Sequence, residues 1–350
     1  MNDTSESTLG PLSKILTVVI PAHVANVHLE TLLVKLNAEA GSLGRGALPV
    51  IVSDDAAVPP VADSISDTGE YVSITHVRSG ENRGPGAARN RGLAEVQSEW
   101  VVFLDSDTVP RNGWLSVLLD HLRVSIDFDG VEGRVEVPEK RDPFTHATSI
   151  SAAEGQHGGA NVAYRVSPLR EIGAFSERFY DKKRRIHFRE DTELRFRVET
   201  SGRRVRYVSD LVVEHPPLAR SLSTPVKLSR RYYFDPLLAS LHPEQFREMN
   251  RKRSFLGYSM RQARHHSALA YFLGMMTMTL GLIVRKTRLG IAGVIVLLIA
   301  YLANLFALVW GRIVRRRDIP AVLIVGLLTP LTYLYGYYRG VCRFRHWPRM

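Results

Sequence analysis

Residues 289–310 read LGIAGVIVLLIAYLANLFALVW and carry no charged side chain. A helix over such a run is long enough to cross the hydrocarbon core of a bilayer. Packing it inside a soluble core is the alternative, and few soluble cores hold so long an apolar run. A second uncharged run covers residues 319–338, with Pro320 at its start and Pro330 inside. Proline kinks a helix, which membrane helices tolerate better than soluble ones. Tyr333, Tyr335, Tyr337 and Tyr338 crowd the end of this run, as an interfacial aromatic belt does. A third run, residues 268–284, is shorter and contains two Gly and two Thr. It can span, lie in the interface or pack in a core. The expectation is a membrane region over residues 267–340 with two to three transmembrane helices, followed by a basic tail at 341–350.

Charge divides the chain at the same place. The net charge of +11 hides 25 basic and 31 acidic residues over 1–219 against 21 and 4 over 220–350. The basic residues punctuate the apolar runs: Arg285, Lys286 and Arg288, then Arg312 and Arg315, Arg316 and Arg317, then Arg339, Arg343 and Arg345. Positive charge interleaved with apolar spans fits an anionic membrane face and argues against nucleic acid. Because it lies on every side of the runs, it does not set the topology. Residues 221–266 form a basic connector. Within it, residues 247–266 suit either an amphipathic helix on headgroups or an ordinary solvated helix face.

The first two hundred residues read as a soluble domain. A content of 45% hydrophobic and 23% charged residues excludes a disordered or fibrous chain. One cysteine, Cys342, excludes an internal disulfide framework and a zinc site built on several thiolates. Residues 1–13 are polar, with no basic and apolar leader, so they are expected to be a disordered tail and the domain to stay cytosolic. Short β-branched runs at 16–20, 48–53, 71–77 and 100–104 alternate with helical spacing at 27–36 and 84–96. That alternation predicts an α/β domain over 14–220 with a mostly parallel sheet. Ligands of such sheets bind beyond the carboxyl ends of the strands. Asp54-Asp55 and Asp105-Ser106-Asp107 fall there.

Two carboxylates separated by one residue at a strand end can hold a hard divalent cation, Mg2+ or Mn2+. In an isolated turn the same tripeptide is often only a hydrogen-bonded cap; following the strand WVVFL gives it weight. The stretch Asn82-Arg83-Gly84-Pro85-Gly86-Ala87-Ala88-Arg89-Asn90 opens a helix whose small residues permit close approach to the sheet or to an anion. It is neither a dinucleotide fingerprint nor a P-loop. Glu190-Asp191 opens the helical stretch 192–200. A carboxylate there can take a proton from a hydroxyl, or simply complement the helix dipole. His215, after a strand at 211–213, can complete a metal shell or be structural.

Together these pieces resemble the family 2 inverting glycosyltransferases of the GT-A fold. The resemblance runs from about residue 16 to residue 215. It is carried, in family order, by VVIPAH (18–23), SDD (53–55), NRGPGAARNRGL (82–93), FLDSDTVPRNGWL (103–115), GANVAYRVSPLREIGAFSERF (159–179) and REDTELRFRV (189–198). The resemblance implies a GT-A, Rossmann-like catalytic domain followed by transmembrane helices. It implies nucleotide contacts from Pro21, Ala22, Asp54, Asp55, Asn82, Gly84, Arg89, Asp105 and Ser106, with Asp54 nearest the base. Asp105 and Asp107 match the DXD motif, with Asp107 as direct metal ligand, Asp105 toward ribose and metal, and His215 near the metal or diphosphate. Asp191, with Glu190 next to it, matches the catalytic base. Arg230 and Arg231 loosely match basic residues that approach the diphosphate or acceptor. Pro-Ala-His replaces the commoner Pro-x-Tyr/Phe-Asn, and Ala56-Ala57 follow Asp55 where Ser or Gly is commoner.

The implied reaction is a metal-dependent single displacement with inversion. A sugar passes from a nucleotide-diphosphate sugar to a hydroxyl of a lipid-linked or membrane-proximal glycan acceptor. The place implied is the cytoplasmic face of the inner membrane, in cell-envelope assembly. Transfer to a polyprenyl phosphate is the second enzymatic reading. A catalytically dead, membrane-tethered nucleotide-sugar-binding scaffold is the reading from another class. Processive synthesis with export fits less well, since the spans are few and no QxxRW-like motif is present. Acceptor choice is expected in loops near 146–156 and 180–187. The run Lys182-Lys183-Arg184-Arg185 is expected to be solvated.

Overall fold

The computed structural model describes residues 10–24, 27–65, 69–124, 127–138, 142–146, 149–150, 158–252, 254–255 and 258–348. The chain forms two compact units. One comprises Met1–Pro138 with Thr148–Pro216, and the other Glu139–Ala147 with Pro217–Met350.

The first unit opens with α1 (Leu12–Ile15), β1 (Leu16–Ala22), α2 (Val27–Leu43), β2 (Leu48–Asp54), β3 (Val72–Arg78), α3 (Pro85–Ala94) and β4 (Trp100–Leu104). It continues through β5 (Val109–Pro110), α4 (Trp114–Arg123), β6 (Gly130–Glu136), β7 (Asn161–Arg165) and α5 (Val166–Glu171). It closes with β8 (Tyr180–Asp181), β9 (Ile186–His187), α6 (Glu190–Thr200) and β10 (Val205–Glu214). Eight strands form one sheet in the order β3-β2-β1-β4-β7-β6-β10-β5. β1 pairs in parallel with β2 and β4, β2 with β3, and β6 with β10; β7 and β5 are antiparallel to their neighbours.

Side-chain alternation shows why these runs are strands. Val18 and Ile20 point to one face, with Leu29, Leu32, Leu33 and Leu36 of α2 and Leu115, Leu118 and Leu119 of α4. Val19 points to the other, with Leu93 of α3, Leu169 of α5 and Leu194 and Val198 of α6. β4 alternates in the same way: Trp100, Val102 and Leu104 on the first face, Val101 and Phe103 on the second. Strands buried on both faces read as unbroken apolar runs, which is how 16–20 and 100–104 look in the sequence. This is the expected GT-A arrangement, a mostly parallel sheet between helical layers. Gly92 is what lets α3 lie close: a Cβ there collides with Val19.

The expected tail at 1–13 is shortened from its C-terminal side. Leu12 already belongs to the core with no exposed surface, because α1 folds directly into β1. Residues 1–9 lie outside the described residues.

The second unit contains α7 (Thr224–Ser229), α8 (Asp235–Leu241), α9 (Pro243–Lys252), a hairpin of β11 (Ser254–Phe255) and β12 (Tyr258–Ser259), then α10 (Met260–Ile283), α11 (Thr287–Val309) and α12 (Ile319–Phe344). Residues 217–220, expected with the catalytic domain, belong here. The single helix considered over 247–266 is not formed, since the β11–β12 hairpin separates α9 from α10. Three helices, Gln262–Ile283, Thr287–Val309 and the apolar part of Arg316–Phe344, are long and apolar enough to cross a membrane. α12 continues through Pro330.

Candidate active site

The carboxyl ends of the central strands are level. Ala22 pairs with Asp54, and Asp54 with Arg78, so the residues that leave these strands meet at one edge of the sheet.

Asp54 and Asp55 are both buried there, and both are engaged. One oxygen of Asp54 accepts the Ala57 amide at 2.7 Å, the other the Val61 amide at 3.1 Å and an ion pair from Arg78. Asp54 therefore closes the 54–61 loop on itself. One oxygen of Asp55 accepts the amides of Arg83 and Gly84 at 3.0 and 2.7 Å, and the other the Arg91 guanidinium at 3.0 Å. Burial pushes the Asp55 carboxyl up, and the two amides and Arg91 oppose it. The amides preceding α3 thus face the chain's own carboxylate. His23 bonds the Asp55 carbonyl at 2.8 Å through Nδ1 and Asn82 at 2.8 Å through Nε2. The variant first motif, Pro-Ala-His, is in this way tied to the glycine-rich stretch. Gly84 has φ +87°, and a Cβ there would lie 2.8 Å from the Tyr180 ring, so two requirements fix glycine.

Asp105-Ser106-Asp107 follows β4 as a tight turn, in which Thr108 returns its amide to the Asp105 carbonyl at 3.1 Å and its hydroxyl at 2.8 Å. The turn leads into β5, which pairs with β10 so that Val109 faces Glu214. That register carries His215 to Asp107, with Nε2 and Oδ2 3.5 Å apart. His215 bonds the Pro216 carbonyl at 2.9 Å through Nδ1, which assigns the proton to Nδ1 and turns Nε2 toward Asp107 as a metal-ligating imidazole requires. Burial pushes the Asp107 carboxyl up, His215 lowers it, and Asp105 raises it. Among the described residues no three His, Cys, Asp or Glu side chains gather as a metal site. Asp107 and His215 form a pair.

Arg89 joins this turn to α6. It is 3% exposed. Its Nη2 donates to Asp105 at 2.6 Å and its Nη1 to Glu190 at 3.4 Å. A Cβ on Gly159 would lie 2.9 Å from the guanidinium carbon, so a bare peptide covers the group. The next carboxylate, Asp191, accepts the Gly159 amide at 3.2 Å and its neighbour's amide, Thr192, at 2.7 Å. The helix begins here because Arg189 takes the left-handed conformation, φ +81°, and turns the chain into α6 with Glu190, Asp191 and Glu193 in the first turn. Burial raises the Asp191 carboxyl to about 6, Glu190 adds to the rise, and Arg89 and the Thr192 amide oppose it. Glu193 is drawn off by Arg197 at 2.7 Å.

Asp105, Arg89, Glu190 and Asp191 are thus brought into one charged cluster, with Asp107 and His215 at the adjoining turn. Pro21 and Ala22 end β1 beside them. Arg230 and Arg231 fall in the second unit, on a short helical turn over Arg230–Phe234. Lys182 pairs with Glu81 and Arg184 with Asp181 around the β8–β9 hairpin. Most of the expected acceptor loop 146–156, namely 147–148 and 151–156, lies outside the described residues.

Sequence reasoning missed a second buried cluster under the site. Glu132 of β6 accepts Arg195 of α6 at 3.0 Å and the Gly158 amide at 3.3 Å. Consecutive amides, of Gly158 and Gly159, therefore hold one acid each, the buried Glu132 and the partly buried Asp191. A charged residue amid the strand run GVEGRVE was the available signal.

Residues 17–187 match the model of glycosyl transferase family 2. These residues are a family 2 glycosyltransferase domain. Pre-mycofactocin glycosyltransferase of Mycobacterium tuberculosis is 28% identical over 225 residues, which cover 59% of this chain and 43% of that protein. Succinoglycan biosynthesis protein ExoW of Rhizobium meliloti is 45% identical over 64 residues, 17% of this chain and 20% of its own. The chain therefore spans less than half the length of these curated relatives. Among solved structures, the mannosyltransferase PcManGT of Pyrobaculum calidifontis, in complex with GDP-Man and Mn2+, is 16% identical with a TM-score of 0.48, covering 95% of this chain and 85% of its own. TarS of S. aureus in complex with UDP-GlcNAc is 14% identical with a TM-score of 0.47, covering 96% and 93%.

Proposed function

We propose that the glycosyltransferase domain transfers a sugar, with inversion, from a nucleotide-diphosphate sugar to a hydroxyl of a lipid-linked acceptor at the cytoplasmic face of the inner membrane, in cell-envelope glycan assembly. The observation that carries the reading is Arg89. One buried guanidinium ties Asp105 of the DXD turn to the Glu190-Asp191 helix start, so donor-side and acceptor-side carboxylates are held as one unit.

Asp191 is the base. Its value of about 6 leaves it ionised at neutral pH and basic enough to take a proton from the attacking hydroxyl. The amides of Gly159 and Thr192 fix its orientation. Glu190 keeps Asp191 basic, and Arg89 keeps both carboxylates from acting as one repelling pair. Asp54 and Asp55 act through the loops they close, which form the wall for the base and ribose.

Asp107 and His215 fit a divalent cation, since an imidazole Nε2 and a carboxylate converge and the other ring nitrogen is anchored to a carbonyl. Two protein ligands leave the remaining positions of Mg2+ or Mn2+ to water and diphosphate oxygens. When bound, such an ion stabilises charge on the departing diphosphate. The apolar helices and the basic second part support an acceptor at a membrane, where a lipid-linked sugar presents its hydroxyls.

The deciding experiment is a donor panel. The full chain in detergent, with Mg2+ or Mn2+, is tested for thermal stabilisation and hydrolysis with UDP-, GDP- and dTDP-sugars. A metal-dependent hit that disappears in Asp107→Asn supports the reading. Tight donor binding without turnover on any acceptor fraction would leave a binding scaffold instead.

A further inference from the structure

α12 matches α10 and α11 in length and apolarity, but not in its neighbours. α10 and α11 pack on each other along their length as an antiparallel hairpin. A Cβ on Gly274 would lie 2.6 Å from the Leu297 amide, and Cβ atoms on Gly293 and Gly281 would collide with the backbone of Met278 and Gly290. Small residues at such a seam let two membrane helices approach closely. Over residues 272–299 the buried positions are those three glycines alone, so among the described residues nothing else buries that part of the hairpin.

α12 meets the hairpin at one end. On α11 its neighbours are Tyr301, Leu305 and Leu308: the Tyr301 hydroxyl donates to the Leu323 carbonyl at 3.1 Å, and Gly326 faces Leu305 and Tyr301. On α10 they are His265 and Ala268, which pack on Tyr333 and Tyr337. Along α12 the passage from Gly326 to Tyr337 takes about 16 Å at the helical rise of about 1.5 Å per residue. A third span running beside the hairpin would meet residues ever farther along α10 and α11. This helix instead passes from one to the other at a single level. Its far half rests on the short helices that precede α10. Thr332 bonds Ser229 at 2.6 Å, a Cβ on Gly336 would lie 2.9 Å from the Arg230 carbonyl, and Phe344 packs on Tyr233.

The two faces of α12 differ in a telling way. Val322, Val325, Tyr333, Leu334 and Tyr337 are buried against the protein. Leu323, Ile324, Leu327 and Leu328 are exposed on the opposite face. A helix bordering water would carry charge there. Exposed arginines stand at its ends instead: Arg315, Arg316 and Arg317 before it, Arg339, Arg343 and Arg345 at its close. An apolar face with cations at its edges is what an interfacial helix on anionic lipid presents.

We propose that only α10 and α11 cross the bilayer, and that α12 lies in the plane of the anionic lipid interface on the side from which α10 enters. Its Leu323, Ile324, Leu327 and Leu328 face sits on acyl chains, and its flanking arginines meet headgroups. The inference rests on the membrane reading given above, not on the reaction. In the sequence, no uncharged run long enough to cross lies between residues 215 and 260, so on this proposal the transferase domain is on the side from which α10 enters. The segment that joins β6 to β7 is fastened at this level: Phe144 is wholly buried with Leu308 and Val322, and Arg220 pairs with both Asp142 and Asp318.

Cys342, the one cysteine, is exposed on α12 and reports the side directly. Membranes from cells expressing the full chain are prepared as right-side-out and as inverted vesicles and treated with a membrane-impermeant maleimide. A Lys286→Cys variant in a Cys342→Ser background reports the hairpin tip. The proposal expects Cys342 to be labelled only from the face on which protease reaches the transferase domain, and position 286 only from the other. Cys342 labelled from the face opposite the transferase domain would make α12 a third span and overturn the proposal. Both positions labelled from one face would show that the hairpin does not cross. A chain recovered in the soluble fraction would instead remove the membrane reading itself.

Discussion

Asp191 is held by two opposing requirements. As the proposed base it must be ionised, yet burial and Glu190 both favour its protonated form, and the result is a value of about 6. The folded value lies above the ordinary 3.8. The folded state therefore takes up a proton between the two, and its stability falls as pH rises through that window. Activity runs the other way: kcat/KM should climb with pH up to about 6 and level off above it, measured with donor and acceptor at fixed metal. Asp191→Asn should reduce transfer by about a hundredfold or more while the donor still stabilises the protein thermally. The Asn amide would also point an N–H at the Gly159 amide, so Asp191→Glu, which keeps an acceptor, is the companion variant and should restore part of the rate. Arg89→Gln removes the cation opposing that burial. The acid limb of the pH profile should then move upward by about one unit or more. An unchanged limb would mean that Arg89 only supports the fold. The DXD turn was legible because it ends an unmistakable strand. Arg89 was legible only as part of a nucleotide motif, since its partners lie 16 and 101 residues away and no local pattern pairs them.

At the scale of elements, register does what spacing in the sequence cannot. His215 reaches Asp107 because two residues of β5 pair antiparallel with the end of β10, a strand too short to be seen in advance. The four parallel strands were readable as apolar runs between helices. β6 and β7 were not, because GVEGRVE and NVAYR carry charged residues that the fold buries or pairs: Glu132 with Arg195, and Arg165 with Glu99. The glycine-rich stretch was read as a close approach to the sheet or to an anion. The structure gives the sheet, through Gly92 on Val19, and supplies the anion from Asp55. Gly92→Ala should therefore lower stability by about 1–3 kcal/mol through overpacking, seen as a lower Tm of the full chain in detergent. Gly80→Ala, where nothing lies within 4 Å, should change it by about 0.5 kcal/mol at most. Equal effects at both positions would show that α3 does not owe its place to that contact.

At the scale of the whole molecule, the charge division that stood out in the sequence becomes a division of labour. On the proposed reading, the acidic first part carries the reaction and the basic second part the attachment. That attachment has two layers of different physics. Arginines beside α12 act through a screened attraction that salt removes, whereas the α10–α11 hairpin acts through buried apolar surface, which salt leaves intact. High salt or alkaline carbonate should therefore leave the full chain in the membrane pellet, and extraction by salt alone would show that the hairpin is not inserted. Removing residues 260–350 should detach the chain. It should also uncover Tyr233, whose backbone a Cβ on Gly340 would strike, and Phe234, since both lose the Phe344 ring. The detached fragment should then aggregate, where a simple tail deletion would give a soluble enzyme. Leu328→Arg separates the two effects. It places a charge on the exposed face of α12 and leaves the buried face whole. Pelleting should persist through the hairpin, the stability in detergent should stay within about 0.5 kcal/mol of the parent, and transfer to a lipid-linked acceptor should fall more than donor hydrolysis does. Equal losses in both reactions would place the defect in the transferase domain and not at the lipid.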